Sequence, residues 1–246
     1  MTEIKQQSGQ GTFIWGPWAT LGWVIIALLV SGIVAIIPII VLRPEAITDN
    51  AALLKDGLTL SISTLVSLPV QVGVLAFAAR RTGWPIGEYL GLVKPKRADT
   101  IVAFAVLVVF LVAFDAMTYV LGREIVTPFQ VDTYTSARAQ GTLVLLWLTL
   151  VVGAPLGEEL MFRGFLFRGW VSAARKAWPG ILGISALFAI VHQQYDWFGV
   201  TQIFLIGLIL AWARWQSGSI LLTMAMHALI NLWATLETVA QVDWLS

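Results

Sequence analysis

Gly153-Ala-Pro-Leu-Gly-Glu158-Glu159-Leu-Met-Phe-Arg163-Gly-Phe-Leu-Phe-Arg168 continues an apolar run that begins near Thr142. Two adjacent carboxylates and an arginine interrupt a segment otherwise suited to hydrocarbon. Ionisable groups at membrane depth are costly and mark function by default. The alternative is that these residues form the polar end of a span and meet water. Around this stretch the chain is 58% hydrophobic and only 12% charged over 246 residues, whereas a soluble domain is about 25% charged. Apolar runs near 20 residues suit helices and not the short alternating strands of a barrel. The expected fold is therefore all-α, a polytopic membrane bundle of about seven (six to eight) transmembrane helices around an intramembrane cavity.

The expected spans are 18–42, 58–79, 101–121, about 142–168, 181–192 with a start near Trp178, 199–215 and 220–239. Residues 1–17 read as a polar N-terminal tail without a cleavable signal, 18–141 as N-terminal transmembrane helices, 142–239 as the catalytic helices and 240–246 as a short tail. Pro38 is expected to kink the end of the first span. The stretches 43–55, 80–99 and 122–141 read as loops. With the N-terminus in the cytoplasm, ten Lys and Arg fall on the cytoplasmic side and four on the other, with Arg163 inside the motif. That asymmetry follows the positive-inside rule. The basic loop 80–99 reads as an anchor at anionic lipid. The net charge of +1, spread among loops, gives no nucleic-acid signal, and the absence of Cys excludes disulfides, thiolate metal sites and a cysteine nucleophile.

On a helix, Glu159 and Arg163 share a face and can pair. Glu158 is rotated away and has no partner in sequence. A carboxylate left alone in a low-dielectric site favours its neutral form, which suits a general base. The only two histidines, His192 and His227, fall in apolar spans. Phe188 precedes His192 by one turn and can fix its ring by packing. Asn231 follows His227 by one turn, so the pair can hold a ligand, donate to an oxyanion or join helices. Counted along their spans at about 1.5 Å per residue, the four groups fall between the cytoplasmic boundary and the midplane, in a cavity expected to open to the cytoplasm. Gly153 and Gly157 form a G-x-x-x-G step around Pro155, for close helix approach or a kink. Asp115 reads as a polar contact between helices or a partner of a histidine or Arg163, and Glu237 as interfacial.

Glu-Glu-x-x-x-Arg, Phe-x-x-x-His and His-x-x-x-Asn, in that order, resemble the CPBP family, over roughly residues 142–235. That family includes CAAX prenyl proteases of the Rce1 type and the bacterial Abi group of bacteriocin-processing and self-immunity proteins. The resemblance implies an intramembrane endopeptidase acting near the C-terminus of a prenylated or membrane-associated peptide. It implies that Glu158 and His192 activate water, and that His227 and Asn231 stabilise the oxyanion, with Glu159, Arg163 and Phe188 in support. A glutamate-dependent mechanism without a cofactor is favoured. Zinc held by Glu158, His192 and His227 is the alternative, since a His₂Glu set is a known zinc arrangement. The expected location is a prokaryotic cell membrane. The motifs of zinc site-2, rhomboid and presenilin-type proteases are absent. The competing readings are a proton-coupled transporter, which lacks inverted repeats, and a non-catalytic immunity or scaffold protein.

Overall fold

A computed structural model describes residues 12–42, 55–171 and 177–244. Its helices, in chain order, are α1 (Pro17–Leu42), α2 (Gly57–Arg80), α3 (Ile86–Leu90), α4 (Arg97–Val120), α5 (Pro128–Ala139), α6 (Leu143–Trp170), α7 (Ala177–Ile190), α8 (Trp197–Ser217) and α9 (Ile220–Asp243). Six of them, all except α3, α5 and α7, are long and apolar enough to cross a membrane. The all-α polytopic expectation therefore holds. The expected loop 43–55 lies almost wholly outside the described residues, as do the cations of 172–176.

Two expected loops contain helices. The stretch 122–141 holds α5, whose start is written locally: Thr127 and Gln130 form a capping box and Pro128 takes the first turn, where it gives up no hydrogen bond. The stretch 80–99 holds α3, one short turn ended by Gly91 at φ +81°. The polar N-terminal tail is tied down at its described end. Phe13 N–H donates to the Thr82 carbonyl and Trp15 Nε1 to the Ala78 carbonyl.

The connections gather at two ends, with α7 making the return between α6 and α8. The start of α1, the α2–α4 connection and the α8–α9 turn meet at one end, called here the basic end, where Ile220 N–H donates to the Gly91 carbonyl. At the opposite end α5 joins the close of α9, through Tyr134 Oη donating to Asp243 at 2.7 Å and an Arg138–Asp243 ion pair. An Arg123–Asp196 ion pair closes the same rim between α4 and α8.

α6 is the central element, touching α1, α2, α3, α5, α7, α8 and α9, while α4 packs on α8 and α9. It passes through two wide π-helical segments, Thr149–Gly153 and Leu160–Leu166, on either side of the two glutamates. Such segments concentrate at functional sites. The first leaves one carbonyl open. In a π frame the carbonyl of Leu150 would accept from residue 155, and Pro155 has no N–H. The expected kink thus takes the form of a widened turn. The G-x-x-x-G step serves close approach: a Cβ on Gly157 would stand 2.8 Å from Leu68 Cδ1 of α2.

Candidate active site

Glu159 and Arg163 are both fully buried, and Arg163 Nη1 donates to Glu159 Oε1 at 2.9 Å. This is the pairing that helical spacing predicts. Arg163 Nη2 also donates to the Gly207 carbonyl at 3.3 Å, and its guanidinium lies 4.2 Å from the Phe188 ring centroid. The same carboxylate oxygen bonds a second group, His227 Nδ1, at 3.0 Å. Glu159 therefore both balances Arg163 and orients an imidazole from α9, 68 residues away. The carboxylate can only accept, so Nδ1 carries the proton and Nε2 points onward. It lies 3.9 Å from Glu158 Oε2.

His192 is oriented by a different device. It lies two residues beyond the end of α7, which corrects the expectation of a span reaching His192. Because α7 ends there, His192 N–H turns back to the Ala189 carbonyl, and the Phe188 carbonyl is released from the helical ladder. His192 Nδ1 donates to it at 2.7 Å. Its Nε2 then carries the lone pair and faces Glu158 Oε2 at 3.8 Å. The Phe188 ring packs edge-on against both imidazoles, with centroids 4.8 Å from His192 and 5.7 Å from His227.

Glu158 stands between the two rings. Its Oε2 is buried and has no hydrogen-bond partner. A buried polar atom left unsatisfied costs about 1–3 kcal/mol; Glu159 Oε2 is unbonded too, but of the two glutamates only Glu158 lines the cavity. Asn231 is already partly committed. Its Nδ2 donates to the Leu150 carbonyl at 2.7 Å, the carbonyl that Pro155 leaves without a partner in the π frame. An amide nitrogen carries two protons, and one remains for the cavity.

Glu158, His192, His227 and Asn231 line one cavity of about 300 Å³. Gln71, Tyr195, Gln194 and Trp147 share its wall, and sequence reasoning missed all four. Gln71 carried a signal, a polar side chain within an apolar span. It donates to the Gly157 carbonyl at 3.1 Å, just before the glutamates. Tyr195 stacks on His192 at 6.5 Å, and burial, with the charge of Glu158 added, pushes its phenol up to about 12. It remains a hydroxyl donor at any working pH.

The cavity lies toward one end of the bundle. Its wall runs from Glu158 and His227 out to Phe129, Thr133 and Tyr134 of α5, at the end opposite the basic loop. In this fold an N-terminus in the cytoplasm and a cavity open to the cytoplasm exclude each other. Asp115 is the expected polar contact between helices: it accepts from Trp233 Nε1 at 3.0 Å, joining α4 to α9. Glu237 accepts from the same N–H at 2.8 Å and lines a neighbouring cavity, so it is not simply interfacial.

For a metal, the donors are in the right order but not gathered. Among the described residues no three His, Cys, Asp or Glu side chains form a group able to hold an ion. A zinc set needs each donor about 2.0–2.2 Å from one shared centre. No step below passes through a metal.

Comparison with known proteins agrees with the motifs. Residues 140–233 match the family described as type II CAAX prenyl endopeptidase Rce1-like. An uncharacterized 24.3 kDa protein of Escherichia coli is 33% identical over 126 residues, covering 48% of this chain and 58% of that protein. The UPF0177 protein YxdF of Lactococcus lactis subsp. lactis (strain IL1403) is 30% identical over 115 residues, covering 46% of this chain and 62% of that protein. The chain thus spans about three-fifths of the length of these curated relatives. No solved structure matches. The segment 140–233, which holds the Glu-Glu, Phe-His and His-Asn motifs, is similar to the Rce1-like family, as the order of those motifs implies.

Proposed function

We propose that the protein is a CAAX-type intramembrane endopeptidase, its chemistry carried by residues 142–239. The substrate is a prenylated or membrane-associated peptide cut near its C-terminus. The protein is a multi-pass protein of a prokaryotic cell membrane with its N-terminus in the cytoplasm. The observation that carries the reading is Glu158: a carboxylate oxygen, buried and unbonded, with the Nε2 atoms of two oriented imidazoles 3.8 and 3.9 Å away.

The chemistry follows from the proton positions. With Nδ1–H held by the Phe188 carbonyl, His192 offers a lone pair at Nε2. Glu158 offers a carboxylate beside it. A water seated against both gives a proton to Glu158 as its oxygen bonds the peptide carbonyl carbon. The carbonyl π electrons move to oxygen. The free N–H of Asn231 donates to that oxyanion, and so does His227 Nε2 when the ring carries both protons, with Glu159 holding Nδ1. As the tetrahedral centre collapses, the C–N bond breaks and Glu158 returns its proton to the leaving amine. Leu60, Leu68, Leu146 and Leu150 supply an apolar part of the cavity wall.

The test is hydrolysis by the purified protein in liposomes, on a panel of lipidated and unlipidated membrane peptides. Release of a C-terminal fragment by wild type and its loss in Glu158→Ala support the reading. Equal behaviour of the two proteins across the panel sinks it. Metal analysis of the active protein, with chelator treatment, decides between the glutamate mechanism and zinc.

A further inference from the structure

The two ends of the bundle differ in charge and in openness, and both differences point the same way. At the basic end Arg80, Arg81, Lys94, Lys96 and Arg97 are all exposed. Among the described residues none of them pairs with a carboxylate. At the opposite end the described cations are neutralised: Lys55 by Asp132 at 2.9 Å, Arg123 by Asp196 and Arg138 by Asp243. Lys and Arg in short loops are retained on the cytoplasmic side, a rule of count in which Asp and Glu weigh little. The structure also discounts two cations from the sequence tally. Arg168 and Arg214 are buried, stacked over Trp84 and Phe167, and are not loop charges at all. The bias survives without them.

Openness runs the other way. Below Glu159 the basic end is sealed. Tyr89 and Leu90 of α3 fold inward, fully or almost fully buried, and the Tyr89 ring packs 5.7 Å from that of Phe165. Arg214 Nε donates to the Arg163 carbonyl at 2.9 Å. Arg214 lies so close to Gly91 that a Cβ there would stand 2.3 Å from its Nη2. Both cavities that reach His192, His227 and Asn231 are walled by α5 and the 192–196 turn, at the far end.

We infer that the mouth of the site faces the extracytoplasmic side of the membrane. Given the proposed hydrolysis, on which the substrate part of this inference rests, the scissile bond belongs to a membrane-associated peptide presented from that side. A tail held at the cytoplasmic face meets the sealed end of the bundle. This selects one of the two substrate classes above.

The chain contains no cysteine, so single thiols report sidedness directly. Ala139→Cys, exposed at the end of α5, marks the open end, and Lys96→Cys, exposed in the basic loop, marks the other. A membrane-impermeant maleimide is added to intact bacterial spheroplasts expressing each variant, then to lysed ones. The expected result is labelling of Ala139→Cys before lysis and of Lys96→Cys only after it. Any other pattern overturns the inference, including the reverse order or equal labelling of both. The readout does not depend on proteolysis. In proteoliposomes of known orientation, peptide offered at the open end is cut and peptide offered at the basic end is not. If neither is cut while the labelling holds, the proposed hydrolysis fails and the sidedness stands.

Discussion

The half of the bundle between Glu159 and the basic end is closed, while the half from Glu158 outward is open, and one peptide bond separates them. Glu159 meets Arg163 and His227 in a fully buried set. Glu158 meets nothing within hydrogen-bond distance of its Oε2. Two identical side chains thus do different work because a helix turns about 100° per residue. One faces a packed interior, where its Oε1 holds Arg163 and His227; the other lines a cavity and is left reactive. The lesson is that a buried charge becomes informative when its bonds are counted.

The contrast predicts which variants lose activity and which lose the fold. The largest effect falls on Glu158. Glu158→Gln removes the proton acceptor and lowers the cleavage rate by about 10²–10⁴-fold, with no loss in thermal stability, since no bond is broken. Arg163→Ala does the reverse. It leaves Glu159 buried without its cation, at a cost of about 3–5 kcal/mol, read as a collapse of the unfolding midpoint in detergent. A stable Arg163→Ala protein would break the comparison.

Asn231 straddles the two halves, and its variant sharpens the boundary. Asn231→Ala leaves the Leu150 carbonyl unsatisfied at about 1–3 kcal/mol and also removes an oxyanion donor. Stability and turnover should fall together, in contrast to Glu158→Gln. At the rim, Lys55→Ala should change stability by about 1 kcal/mol or less, because its partner Asp132 is well exposed and such pairs are worth little. A larger shift would mean that the α2–α5 contact at the mouth is under more tension than the geometry indicates.

Much of this was legible from spacing. Long apolar runs fix the spans, and the four-residue step fixes the Glu159–Arg163 pair, because both are properties of a single helix. What was not legible depends on which helix stands opposite. Nothing near Glu159 in sequence announces His227. The carbonyl that Asn231 covers meets its donor only once α9 is packed on α6. The end of α7 before His192 escaped because its apolar run continues through Val191 without a breaker. Depth along each span says how far a group lies from an end, but not which end is plugged. The plug is α3, a five-residue helix hidden in a stretch that reads as a charged loop.

The most direct test of the division between the two glutamates is a paired measurement on wild type and Glu158→Gln in the same liposomes: cleavage of a membrane-associated peptide, and the thermal unfolding midpoint. Cleavage by wild type, none above background by the variant, and equal midpoints are the predicted result. Equal cleavage by both proteins would contradict the central claim that Glu158 is the group left to do chemistry.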